Sequence, residues 1–292
     1  MKEYCYIVAG HCFSVTVADG VDLSEHLSPY QPFAVDPQEA PQRVFRLAVV
    51  PRRAQAVPEN LTEEVCQDDD GSQIRLCRTG SGASWFEFSL SGELAGTMLA
   101  DAGFESATLA IHAYPAFALS NALMVMFALR TASLHTALFH AAVIGCGGRG
   151  YLFLGKSGTG KSTHARLWLK HIQGSELVND DNPVVRILDD GTAWVYGSPW
   201  SGKTPCYRNM RLPLGGFVQL AQAPYNEIRR LKGIAAYAAL VPSISGKRWD
   251  RAIADGLHAT ENDLASNVPV WHLDCLPDEA AARLCAGAVM KE

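Results

Sequence analysis

Gly155-Lys156-Ser157-Gly158-Thr159-Gly160-Lys161-Ser162 fits G-x-x-x-x-G-K-[ST] at every fixed position. Glycines at that spacing let backbone N–H groups surround an anion, and the lysine brings a charge for the β- and γ-phosphates. The serine hydroxyl is a hard oxygen suited to Mg²⁺. Tyr151-Leu152-Phe153-Leu154 is an apolar run of strand length just before the motif. After it, Leu167, Trp168 and Ile172 recur at helical spacing. A glycine loop between strand and helix turns the positive end of the helix dipole toward a phosphate. These residues imply a nucleoside phosphate site made by Gly155, Ser157, Gly158, Thr159, Gly160, Lys161, Ser162 and Thr163.

Leu177-Val178-Asn179-Asp180-Asp181 is the second chemical signal, two apolar residues followed by acids at a strand end. Asp180 falls 19 residues after Lys161, room for one helix and a turn. A strand–helix–strand unit of that length returns both strand ends to one edge of the sheet, so the carboxylates face the phosphates. Carboxylates there suit a metal ion and the base that a phosphoryl-accepting hydroxyl requires.

From His140 to Asp181 the chain resembles the catalytic domain of bacterial HPr serine kinase/phosphorylases, whose fold is similar to that of phosphoenolpyruvate carboxykinase. The residues that carry the resemblance are His140, the GKSGTGKS loop from Gly155 and the Leu177–Asp181 run. The resemblance implies transfer of the γ-phosphoryl of ATP, with Mg²⁺, to a serine or similar hydroxyl. It implies Asp180 as the base and Asp181 with Ser162 as metal ligands, the two acids being exchangeable in role, and His140 beside the phosphates. Downstream, Gly197-Ser198-Pro199-Trp200-Ser201-Gly202-Lys203 departs from the HPr enzymes, so the resemblance does not extend to HPr as the acceptor. That segment is read either as a functional loop, with Lys203 near the transferring phosphoryl, or as a plain structural one. Arg229 and Arg230 are read as phosphate clamps or as surface residues at a helix start.

The elements that position these residues follow in order. The first 115 residues suggest a β-rich unit: strands over 4–17 around Gly10, at 45–50, 85–90 and 107–112, and a hairpin turning at Asp68–Gly71. Residues 116–129 form a helix apolar on nearly all sides, too short to span a bilayer. A strand over 136–144 turns back at Gly145–Gly150, which makes it antiparallel to the strand before the loop. Further strands are expected at 193–196, 214–221 and 270–273, and helices at 234–240, 249–264 and 278–289.

The expected fold class is thus α/β, with a catalytic domain on a mixed sheet over 116–292, which the resemblance implies is phosphoenolpyruvate carboxykinase-like, after a smaller β-rich domain over 1–115. With 48% hydrophobic and 19% charged residues the chain can bury a core. A formal charge of −5 without a basic cluster argues against nucleic acid or membrane as partner. Eight cysteines without C-x-x-C or zinc spacing, and no signal-like apolar start, imply free thiols and a cytoplasmic protein. The acceptor is a protein, peptide or small molecule with a hydroxyl, and a homo-oligomer is consistent with the resemblance. A nucleotide-switched binding protein without phosphotransfer is the alternative.

Overall fold

This computed structural model describes every residue except Asp70, Lys203 and Glu292. The chain forms two compact units, Met1–Arg130 and Thr131–Glu292. It is a mixed α/β protein in which each unit is built on its own mixed sheet.

The first unit contains β1 (Lys2–Val8), β2 (His11–Val17), β3 (Ala34–Val35), β4 (Arg43–Val50), β5 (Thr62–Asp69), β6 (Ser72–Arg78), β7 (Ser84–Leu90), β8 (Glu93–Ala100) and β9 (Ser106–Ile111). They form one sheet in the order β3-β1-β2-β4-β9-β8-β7-β6-β5, with β4 parallel to both β2 and β9. The hairpin of β5 and β6 extends further than the sequence suggests, because Asp68 and Asp69 pair across the ladder with Gln73 and Ser72. Asp70 lies outside the described residues, and Gly71 turns the chain at φ 79°. The apolar helix α1 (Pro115–Thr131) falls with this unit rather than with the second. Phe127 packs edge-on against His11 and Phe13 of β2, and Ala118 lies over Gly96 of β8.

The second unit contains β10 (Thr136–Leu138), β11 (Ala141–Cys146), β12 (Arg149–Leu154), α2 (Lys161–His171), β13 (Glu176–Asp181), β14 (Val184–Ile187), β15 (Ala193–Tyr196), β16 (Arg211–Gln222) and β17 (Glu227–Leu231). It ends with α3 (Ile234–Leu240), α4 (Arg251–Asn267), β18 (Val270–Cys275) and α5 (Glu279–Val289). Its principal pairing runs β13-β11-β12-β16-β18-β17. β10, β14 and β15 continue the sheet from the first residues of β16. The ladder makes β13, β12, β16 and β18 mutually parallel, so four strands end at one edge. The helices α2 and α5 cover one face, burying Trp168, Ala282 and Cys285 against Phe153, Val218 and Leu273.

The strand expected over 136–144 is instead two strands. β10 pairs with β14, whereas β11 pairs with β12 and β13. His140 lies in the break, its N–H on the carbonyl of Ser243, 2.7 Å away. Asn226–Leu231 is not a helix start. β17 pairs antiparallel with β18 there, Arg229 forms an ion pair with Asp274 at 2.9 Å, and the Arg230 guanidinium lies over the Trp271 ring. The helix expected from Trp249 begins at Arg251, where the Asp250 carboxylate caps the N–H groups of Ala252 and Ile253.

Candidate functional site

β12 delivers the chain to the glycine loop, and α2 carries it away. Gly158 and Gly160 have φ of 77° and 108°, backbone that side chains disfavour, although a Cβ at either would meet nothing within 4 Å. The glycines are needed there for conformation, not for space. Gly160 is the N-cap of α2, so the free N–H groups of the first turn open onto the loop. Lys161 begins the helix, buried, and its Nζ donates to the carbonyls of Gly155 at 2.9 Å and Lys156 at 3.3 Å. Thr159 N–H closes the loop on the Lys156 carbonyl at 3.1 Å. Thr163 faces Arg166 one turn on, and Ser157 is exposed.

Asp181 pairs across the ladder with Ala141, and Ala141 also pairs with Leu154, the last residue before the loop. The two chemical segments therefore end side by side with one strand between them. The Ser162 hydroxyl donates to Asp180 Oδ1 at 2.7 Å. Asp180 is buried, whereas Asp181 is about one-third exposed and its Oδ1 lies 3.9 Å from His140 Nδ1. Asp181 Oδ2 accepts from Asn182 Nδ2 at 2.7 Å. Asp180 thus shares the loop side with Ser162, and Asp181 shares the open side with His140. Sequence reasoning pairs Ser162 with Asp181 instead.

Asp181 has φ 150°, a region few side chains adopt. Two backbone contacts hold it there, an antiparallel bridge from Asp181 to Ser201 and the Gly202 N–H on the Asp180 carbonyl at 2.7 Å. Asn179, fully buried, donates to Ser198 Oγ at 3.1 Å and to the Trp200 carbonyl at 3.2 Å, while its Oδ1 accepts from Asn182 N–H. The GSPW segment is therefore tied to the acidic strand by a buried polar network, with Trp200 in the core. Lys203 lies outside the described residues.

Sequence reasoning missed Asn179, Ser198 and Gln222. Gln222 ends β16 and donates from Nε2 to the carbonyls of Gly158 at 3.1 Å and Thr159 at 3.4 Å, supporting the loop from the next parallel strand. Its position at the carboxyl end of an apolar strand is the signal that could have found it. His164 is enclosed, and burial pushes its pKa down to about 4, so the ring is neutral. Its Nε2 accepts from Trp168 Nε1 at 3.2 Å.

Ser162 Oγ and Asp180 Oδ1 are hard oxygens beside the glycine loop, the donor chemistry Mg²⁺ takes. Mg²⁺ keeps waters and phosphate oxygens and uses one or two carboxylates, so a larger acidic cluster is not required. Among the described residues no group of three or more His, Cys, Asp or Glu is placed to hold a metal. Nor is any helix among them long and apolar enough to cross a membrane.

No protein-family profile and no curated protein matches the chain. Among solved structures it is similar to the Hpr(Ser) kinase/phosphatase from Coxiella burnetii, at 14% identity and a TM-score of 0.32, over 53% of this chain and 94% of that one. A TM-score of that size is too low to carry fold or function across.

Proposed function

We propose that the protein is an ATP- and Mg²⁺-dependent phosphotransferase acting on a hydroxyl, with its catalytic centre in the second unit. The observation that carries this reading is the 2.7 Å contact of Ser162 with Asp180, which joins the strand-end carboxylate to the first turn of the loop helix. A glycine-rich loop alone binds phosphate; a loop with a carboxylate on its serine is equipped for a metal-bound triphosphate.

In this reading the loop N–H groups and Lys161 hold the β- and γ-phosphates, and Ser162 with Asp180 would hold Mg²⁺. When bound, the metal supplies charge neutralisation on the phosphate oxygens. Asp181 takes the proton of the acceptor hydroxyl. It is the more accessible acid, and an acceptor must arrive from solvent. His140, 3.9 Å from it, orients that carboxylate. These assignments exchange the roles that sequence resemblance gives the two acids. The acceptor is a protein, peptide or small molecule, and phosphoryl transfer asks mainly for positioning and charge stabilisation from the residues around it.

The test is nucleoside diphosphate release from Mg-ATP, with and without size-fractionated extract of the host cell. Release that rises with one fraction supports the kinase and locates its acceptor. Lys161→Ala should abolish turnover. Asp181→Asn should keep Mg-ATP binding and lose about two to four orders of magnitude in rate, the span of a general base. Asp180→Asn should instead raise the Mg²⁺ concentration needed. If Asp180→Asn were the variant that bound Mg-ATP normally but failed in transfer, the assignment of roles would be reversed. Intact Mg-ATP binding with no release in any fraction would favour a nucleotide-switched binding protein.

A further inference from the structure

On the side of the loop away from the acidic pair lies a cavity of about 560 Å³. Its volume is in the range of small-molecule sites. The loop residues Gly158, Thr159 and Gly160 line it, together with Leu167 of α2 and Leu220 of β16. Cys275 at the end of β18, with Ala223, Pro224, Leu276 and Pro277 from the chain leaving β16 and β18, adds a further wall. Among the described residues that line it there is no Asp, Glu, Lys or Arg.

We propose that this cavity is the nucleobase slot of a nucleoside triphosphate donor, and that it accepts adenine and guanine alike. The proposal rests on the phosphotransferase reading and adds the donor class to it. The strand order supplies the direction. β13 lies two places from β12 on one side, and β18 two places on the other. A nucleotide lying across the loop with its γ-phosphate toward Asp180 and Asp181 therefore places its base against β16 and β18. The slot walls are apolar and neutral, suited to the faces of a purine. Guanine is usually told from adenine by a group that pairs with its N1 and N2 donors, most strongly a carboxylate. Among the described residues that line it, the slot presents His164, Thr159, Thr163 and Gln222 as polar side chains. His164 Nε2 accepts from Trp168 Nε1, which leaves Nδ1 as the ring's donor, and both purines can accept from it through ring nitrogens.

The experiment is calorimetric titration of the whole protein with Mg-ADP, Mg-GDP and Mg-pyrophosphate, beside alkylation of Cys275 read by mass spectrometry. Cys275 lines the slot and is half-buried, and the exposed Cys66 in the first unit serves as internal control. The expected result is ADP and GDP within about threefold of each other and both at least about tenfold tighter than pyrophosphate. Both nucleotides, but not pyrophosphate, should slow alkylation of Cys275 while leaving Cys66 unchanged. Ala223→Phe, which fills the slot from a partly exposed position, should lose about tenfold in ADP affinity and leave pyrophosphate unchanged. Leu276→Ala, at an exposed rim, should shift ADP in the same direction without risk to folding. Pyrophosphate binding as tightly as ADP, with both variants unaffected, overturns the slot and leaves the phosphate loop standing. An ADP preference over GDP beyond about tenfold overturns its tolerance. Binding of none of the three overturns the phosphotransferase reading and the slot together.

Discussion

Asp181 carries both the proposed proton transfer and a strained backbone, and the two are separable by substitution. At φ 150° a side chain costs about 1–3 kcal/mol, which glycine avoids. Elsewhere glycine is worse than alanine by about 0.5–1 kcal/mol, through the entropy of the unfolded chain. At this position the order should reverse. Asp181→Gly should unfold at a higher urea concentration than Asp181→Ala, while neither transfers phosphoryl; the usual order would mean that the local backbone is relaxed. His164 makes a second residue-scale prediction. Its pKa falls from the ordinary 6.5 to about 4 on burial, so between those values the unfolded chain binds a proton that the folded one does not. Stability is then complete above pH 6.5 and declines as pH drops toward 4, by up to about 3 kcal/mol. Urea midpoints measured from pH 7 to pH 4.5 should fall for the natural protein and fall less for His164→Gln; parallel curves would place the ring in water. The loop glycines, Lys161, Ser162 and the acids could be named from spacing alone. Which acid Ser162 touches could not, because neighbours on a strand face opposite sides and only the ladder register decides which one looks at the loop.

Among elements, the segment from β13 through the GSPW loop behaves as one body, and Gly197 shows how tightly it is fitted. A Cβ there would stand 2.0 Å from the carbonyl oxygen of Arg208 and 3.2 Å from that of Val178. Both are backbone atoms that cannot swing aside, so the glycine is required for space. Gly197→Ala should cost about 2 kcal/mol or more, measured by urea denaturation, and should loosen the grip on Asp180 and Asp181. A change under about 0.5 kcal/mol would show the loop to be pliant. Strand and helix existence was largely legible at this scale, since the apolar runs of β12, β16 and β18 and the spacing in α2 and α5 follow from burial. The failures have local causes. β8 reads ELAGTMLA, without alternation, because Gly96 leaves room for Ala118 of α1 to come close. β14 is only four residues long and follows directly on Pro183. The break at His140 arises where the chain passes from the β14 ladder to the β12 ladder, a tertiary event with no composition signal.

For the molecule as a whole, sequence and structure divide the chain at different points, and α1 is the reason. A helix apolar on nearly every side announces that it will be buried but carries no polar face to say against which sheet. Leu119, Leu123, Met126 and Phe127 are fully buried, and the Phe127 ring packs against His11 and Phe13 of the first unit. The cysteines extend the same logic to both units. All eight are free; Cys5, Cys12, Cys77, Cys146, Cys206 and Cys285 are buried, Cys275 is half-buried and Cys66 is exposed. They pack as small apolar groups, and burial raises the thiol pKa of Cys5, Cys12, Cys77, Cys206, Cys275 and Cys285, which suppresses the reactive thiolate. A thiol reagent at neutral pH should therefore modify Cys66 first in the native protein and Cys275 more slowly. In denaturant without reductant it should find all eight. A shortfall in denaturant would reveal a disulfide, and rapid native reaction of Cys285 would mean that the α2–α5 layer opens on the timescale of the assay, because that thiol is enclosed by the core of the second unit.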